Sequence, residues 1–198
     1  MFPDYPSLSS VTEKENWHSE TEFDPWRWRT RFAADGVAAY GKFVKKKSVL
    51  ISRELLPCFL AVMGSSKSVK DRYRDGEMSK EACDLHVIIQ QDEGIDTRLL
   101  RAKAAMKSKE MKKPFDNGLL ELQAGLDIVV SGTKEKQNDS GEKNGWNSTS
   151  YETIEHWTRK NKVEHIEDDR EKARQKLLQH FSSITSPEAM KKIQKLFL

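Results

Sequence analysis

The sequence predicts an α+β fold that is mainly helical, organised as winged helix-turn-helix modules with small β-hairpins. Three observations carry that expectation. Apolar residues recur at helical spacing through most of the chain, and short runs with period two appear near residues 37–51 and 127–151. Between residues 79 and 151, three short helical patterns precede two strand patterns separated by a polar loop. Helices need apolar residues three and four apart and half-buried strands need them two apart, so the letters separate the two.

Residues 1–25 read as an irregular N-terminal segment, with Pro3, Pro6, Ser7, Ser9 and Ser10 and no sustained period. Residues 26–76 read as a hairpin-plus-helix module. Val37, Ala39, Gly41 and Phe43, then Val49 and Ile51, alternate across Lys45-Lys46-Lys47, which predicts a two-stranded hairpin with a basic tip. Trp26-Arg27-Trp28-Arg29 fits the same alternation, tryptophans inward and arginines outward on a strand. Its other reading is an aromatic and guanidinium array that stacks on unpaired bases. Ser52 is placed to cap a helix through Met63 with Leu55, Leu56, Phe59 and Leu60 on its face and Pro57 inside it. A short charged helix then spans Val69 to Arg74.

Residues 77–160 carry the winged helix-turn-helix reading. Ser79 caps a first helix with Ala82, Leu85, Ile88 and Ile89 on one face, and Asp92-Glu93-Gly94 stops it. Asp96 or Thr97 caps a second, which carries Leu99, Leu100 and Ala104 and ends near Met106. After Lys107-Ser108 a third helix runs to about Gln123, with Phe115, Leu119, Leu122 and Leu126 inward. Pro114 inside a helix would cost roughly 3 kcal/mol, so either the helix begins near Lys113 with Pro114 in its first turn, or it is kinked there. Residues 127–131 and 148–151 read as strands around a polar loop at 132–147. A tight turn before an exposed helix is what a major groove roughly 12 Å wide accepts. Residues 161–198 supply C-terminal helices that close the core, one with Ala173, Leu177, Leu178 and Phe181, another starting at Ser186-Pro187.

Composition narrows the function. Of 198 residues, 36% are hydrophobic and 33% charged, with 10 Gly and 6 Pro, which excludes disordered and fibrous classes. Cys58 and Cys83 have apolar neighbours and read as buried thiols in a reducing compartment. No apolar run approaches the roughly 20 residues of a membrane span, and the start lacks a signal-peptide layout. A cytoplasmic protein with no membrane partner is therefore expected. The net charge of +3 is unevenly spread. Residues 27–53 hold Arg27, Arg29, Arg31, Lys42, Lys45, Lys46, Lys47 and Arg53 against Asp35 alone, a block of +7. Residues 98–113 hold Arg98, Arg101, Lys103, Lys107, Lys109, Lys112 and Lys113 against Glu110, a block of +6 on a chain otherwise at −10. Such blocks suit a polyanion.

Catalytic patterns are thin. The five histidines are scattered, with no His-Glu-x-x-His and no Cys-x-x-Cys, so no metal and no cofactor is expected. Phosphate-binding glycine loops and Gly-x-Ser-x-Gly are absent too, and no catalytic residue is identified. The better-supported chemistry is binding of duplex DNA. Arg98, Arg101, Lys107, Lys109, Lys112 and Lys113 crowd the second helix, the turn and the front of the third, where they would neutralise phosphates. Asn117 is a residue type that bonds adenine. Lys134 and Lys136 in the loop reach toward the backbone, and Lys45, Lys46 and Lys47 join them if the fold brings the hairpin tip alongside. The bland reading of the lysines is a solvated helix end. The alternatives of another class are a base-excision enzyme and a protein-interaction scaffold.

Several phrases form a recognisable set: Asp24-Pro25-Trp26-Arg27-Trp28, Tyr40-Gly41-Lys42, Ile51-Ser52-Arg53-Glu54-Leu55-Leu56-Pro57 and Asp96-Thr97-Arg98-Leu99-Leu100-Arg101. Phe115-Asp116-Asn117-Gly118-Leu119-Leu120-Glu121-Leu122-Gln123 follows, then Gly145-Trp146, Tyr151-Glu152 and Trp157. Over roughly residues 24–160 the chain resembles a family of small bacterial proteins distantly similar to the AlkZ/YcaQ-type winged-helix DNA glycosylases. The resemblance implies tandem winged-helix modules and duplex DNA as partner. The glycosylases' catalytic signature is a Gln-x-Gln triplet near the N-terminus, and this sequence has none: Gln90-Gln91 are adjacent and Gln123 belongs to a helix core pattern. DNA binding is therefore the expectation carried over, and base excision is not. Phe2-Pro3-Asp4-Tyr5-Pro6-Ser7-Leu8 looks like the middle of a longer N-terminal unit, where a site would lie beyond these letters.

Overall fold

Among the described residues, five strands form one antiparallel sheet in the order β2-β1-β4-β5-β3, with helices on both faces. The computed structural model describes residues 7–135, 147–164 and 169–197, so Lys136 and most of the polar loop lie outside the described residues. Two short 3-10 turns, Leu8–Ser10 and Lys14–Asn16, lead into helix α1 (Pro25–Ala34). The alternating Trp26-Arg27-Trp28-Arg29 is thus helix, not strand. Asp24 accepts a hydrogen bond from the Trp26 backbone N–H at 2.9 Å, and Pro25 opens the helix, where its missing N–H costs nothing.

Strands β1 (Ala38–Val44) and β2 (Lys47–Ser52) form the expected hairpin, with Lys45 and Lys46 at positive φ in its turn. Helix α2 (Leu56–Met63) starts later than the sequence predicts, because Ser52 stays in β2 and Pro57 needs the first turn. Helix α3 (Val69–Arg74) and helix α4 (Lys80–Gln91) follow, the latter capped by Ser79, whose hydroxyl accepts from the Ala82 N–H at 3.2 Å. Then come β3 (Ile95–Asp96), α5 (Thr97–Lys103), α6 (Lys112–Ala124), β4 (Ile128–Lys134), β5 (Ser148–Thr153) and α7 (Ile154–Lys160). Helices α8 (Arg170–Ile184) and α9 (Pro187–Gln194) complete the described chain. Pro114 lies in the first turn of α6, so the first of the two alternatives holds and no helical hydrogen bond is lost.

The two hairpins are fused. Tyr151 of β5 pairs with Ile95 of β3 on one side and with Val130 of β4 on the other, and Val130 in turn faces Tyr40 of β1. Strand alternation sends Tyr40, Val130 and Tyr151 to one face, into a core with Leu85 and Ile89 of α4, Leu100 of α5, and Phe115 and Leu122 of α6. Ala39, Phe43, Ile51 and Val129 go to the other, against Phe59 of α2, Trp157 of α7 and Leu177 of α8. Trp157 is fully buried, and its indole N–H donates to the Ala33 carbonyl at 2.9 Å, anchoring α7 to the end of α1. No helix among the described residues is long and apolar enough to cross a membrane.

Candidate nucleic-acid interface

Helix α6 is held on three sides, which fixes the side it leaves outward. A Cβ on Gly118 would meet Leu85 and the backbone of α4 at 3.0–3.3 Å, so the glycine lets the two helices touch. Glu121 accepts from both the backbone N–H and the hydroxyl of Ser79, tying α6 to the start of α4. Gln123 donates to the Leu119 carbonyl and accepts from the Lys42 N–H, each at 3.0 Å, tying its far end to β1. With Phe115, Leu119 and Leu122 buried, the 100° step of the helix turns Lys113, Asp116 and Asn117 outward, and all three are exposed.

The turn before α6 is braced by Arg101. Its Nε donates to the Met106 carbonyl at 3.0 Å, Nη2 to the Ser108 carbonyl at 3.4 Å, and its guanidinium stands 5.3 Å from the centre of the Phe115 ring. Arg98 reaches Asp96 at 3.4 Å and the Lys134 carbonyl at 3.4 Å, linking α5 to the end of β4. Both arginines brace the frame. Lys107, Lys109, Lys112 and Lys113 are exposed, and none forms an ion pair among the described residues. Asp116 on the same face is an acid that the sequence reading did not weigh.

The predicted basic groups do not all converge. Strand β1 runs antiparallel to β4 through Tyr40 and Val130, so the Lys45–Lys47 tip extends past the start of β4 while Lys134 ends it. At about 3.3 Å per residue, the two lie on the order of 30 Å apart along the sheet. Gln123, at the C-terminal end of α6, is the residue that meets Lys42, whereas Lys112 and Lys113 open the helix. The tip therefore belongs to the other end of α6.

Two clefts adjoin the interface. One of about 480 Å³ runs between α6 and the first hairpin, with Tyr40, Val130, Thr149 and Tyr151 beneath Asp116 and Leu120. The other, about 1140 Å³, separates α1 from β4 and β5, with Arg27, Trp28 and Arg31 on one wall and Thr133 and Asn147 on the other. Tyr40 and Thr149 line both. Arg31 is absent from the sequence-predicted contacts, and Arg27 enters them only through the Trp26–Arg29 array that stacks on unpaired bases. The signal was present: four-residue spacing behind an Asp-Pro helix start puts them on one helical face.

A third cavity of about 620 Å³ lies between α4, the α6–β4 turn and the start of α7. Asp127 and His86 line it. Burial pushes the Asp127 carboxyl up to about 6 although the ion pair with Arg72 pulls it down, and burial holds His86 below the usual histidine range. Asp127 Oδ2 and Arg72 Nε are buried without a hydrogen-bond partner among the described residues. No group of three or more His, Cys, Asp or Glu able to hold a metal occurs among the described residues.

A family model described as AlkZ related matches residues 1–198. No curated protein and no solved structure matches the chain. With the match spanning every residue, the chain belongs to the AlkZ-related family.

Proposed function

We propose that residues 77–160 are a winged helix-turn-helix module and that the chain binds duplex DNA through it. The support is the order α4-β3-α5-α6-β4-β5, with the short strand β3 hydrogen-bonded to β5 so that the β4–β5 hairpin stands beside α6. In this reading α6 enters the major groove, Lys113 and Asn117 face the bases, and β4 with Lys134 forms the stem of the wing. Lys107, Lys109 and Lys112 meet phosphates from the preceding turn and the helix front. Membership of the AlkZ-related family favours DNA over a protein partner. The reading stops at binding and assigns no catalytic residue.

The observation that carries it is the run of exposed lysines in the turn before α6 and at its front, Lys107, Lys109, Lys112 and Lys113, none of which forms an ion pair among the described residues. Cations left open at the front of a helix release counterions when they meet phosphates, so affinity falls with salt at a log–log slope of about −0.9 per phosphate neutralised. Anisotropy of a labelled blunt duplex across roughly 50 to 200 mM salt should give a slope near −3 to −4 for the four lysines. Affinity that ignores salt, or no binding at the lowest salt, refutes the reading.

A further inference from the structure

The Trp-Arg segment does not take part in the duplex interface, yet α1 carries it to the edge of that interface. Arg27 and Arg31 line the cleft between α1 and the β4–β5 hairpin, and Tyr40 and Thr149 join this cleft to the one beside α6. The two clefts lie side by side on Tyr40 and Thr149, one reaching under α6 and the other reaching α1.

Its chemistry is specific. Arg27 is exposed, its guanidinium donates to the Glu20 carbonyl at 2.6 Å, and it forms no ion pair among the described residues, although Glu22 also lines the cleft. Arg31 meets Asp35 at 3.4 Å, with both side chains more than half exposed, an ion pair that exchanges readily for another anion. Trp28 stacks on Phe32 and borders the cleft, while Tyr40, half-buried, supplies a phenol at the junction. Thr133 and Thr149 add hydroxyls on the facing strands. Cations in a row, aromatic side chains and neutral hydrogen-bonding groups in a concave track are the requirements of a strand whose bases are unpaired. A duplex presents its phosphates on a convex rod and cannot enter a cleft of this size, whereas a single strand can.

We propose that this groove takes an unpaired stretch of DNA continuous with the duplex bound at α6, an assignment that rests on the duplex reading above. Strands leaving the duplex end pass Tyr40 and Thr149, with phosphates on Arg27 and Arg31.

The test uses the full chain and three labelled DNAs: a blunt duplex, and the same duplex with a short thymidine extension on either the 5′ or the 3′ side. One extension should tighten binding about tenfold, the worth of roughly one stacked base. Arg27→Ala with Arg31→Ala should abolish that gain and leave blunt-duplex affinity within about twofold, since distant sites act independently. Thr21→Glu, exposed in the cleft lining and outside both α1 and the β4–β5 hairpin, should do the same by repulsion, which separates groove chemistry from any loss of α1 structure. No gain from either extension, or equal weakening of blunt and extended DNA by these variants, overturns the assignment. A wild-type protein that ignores the blunt duplex yet holds an extended one, with both variants losing it, refutes the duplex reading and leaves the groove standing.

Discussion

Gly118 on α6 lies so close to Leu85 on α4 that a Cβ would stand 3.0 Å from Leu85 Cδ1 and 3.2 Å from the Ala82 backbone nitrogen. Leu85 can rotate away, but the Ala82 backbone cannot. Gly118→Leu should therefore lower stability by about 1–3 kcal/mol through overpacking, despite leucine's better helix propensity. Urea unfolding with an unchanged m-value checks it. A variant as stable as the wild type would mean that α6 is not seated as described.

Gln123 joins α6 to the first hairpin by a side chain rather than by packing alone. Gln123→Leu keeps the volume and removes the acceptor for the Lys42 N–H, an unmade hydrogen bond worth about 1–3 kcal/mol where water is excluded. Gln123→Glu retains an acceptor at that place. Amide exchange should show the Lys42 N–H losing protection in the leucine variant and keeping more of it in the glutamate one.

Asp127 gives the protein a pH signature. Its carboxyl titrates near 3.8 in the unfolded chain and is pushed up to about 6 in the fold by burial, which outweighs Arg72. The folded state thus binds the extra proton between about pH 4 and 6, and this group's contribution to stability is full below that window and lost as pH rises through it, by at most about 3 kcal/mol. His86, held low by burial, acts in the opposite sense, losing stability as pH falls. Denaturation midpoints at both ends of the window, compared with Asp127→Asn, isolate the aspartate: the variant should lack its part of the slope.

Lys109, Lys112 and Lys113 and the Lys45–Lys47 tip make different predictions although both are basic clusters. Replacing the first three with alanine should flatten the salt slope of duplex binding by about 3, weakening all sequences alike. Replacing the tip lysines with serine should change it by less than about 1, because the sheet holds them at the other end. Equal effects would show that the duplex covers the whole sheet edge.

Helices α4, α5 and α6 were legible because their signals are local. Ser79 before Ala82, Asp96 before Leu99, and apolar residues three and four apart announce α4, α5 and α6 to within a few residues. Trp26 to Arg29 misled because two tryptophans and two arginines alternate like a strand, and the Asp24-Pro25 start outweighs them only once it is counted. The pairing of Tyr40 with Val130 left no local trace: it joins segments ninety residues apart, and neither strand's pattern says which partner it takes. The groove beside α1 depends on that pairing and so left no trace in the letters, whereas Asp116, three residues after Lys113 on a helix, was readable from spacing and went unweighed.

Among the described residues the sheet ends in two borders, β3, two residues long, and β2. A long open border invites strands from other molecules to add on, the first step toward insoluble assemblies, and lysines along it discourage them. Lys47 begins β2, with Lys45 and Lys46 beside it in the turn, so these three side chains guard the one border long enough to recruit a neighbour. Their removal would show first in the concentration at which the protein stays clear on warming.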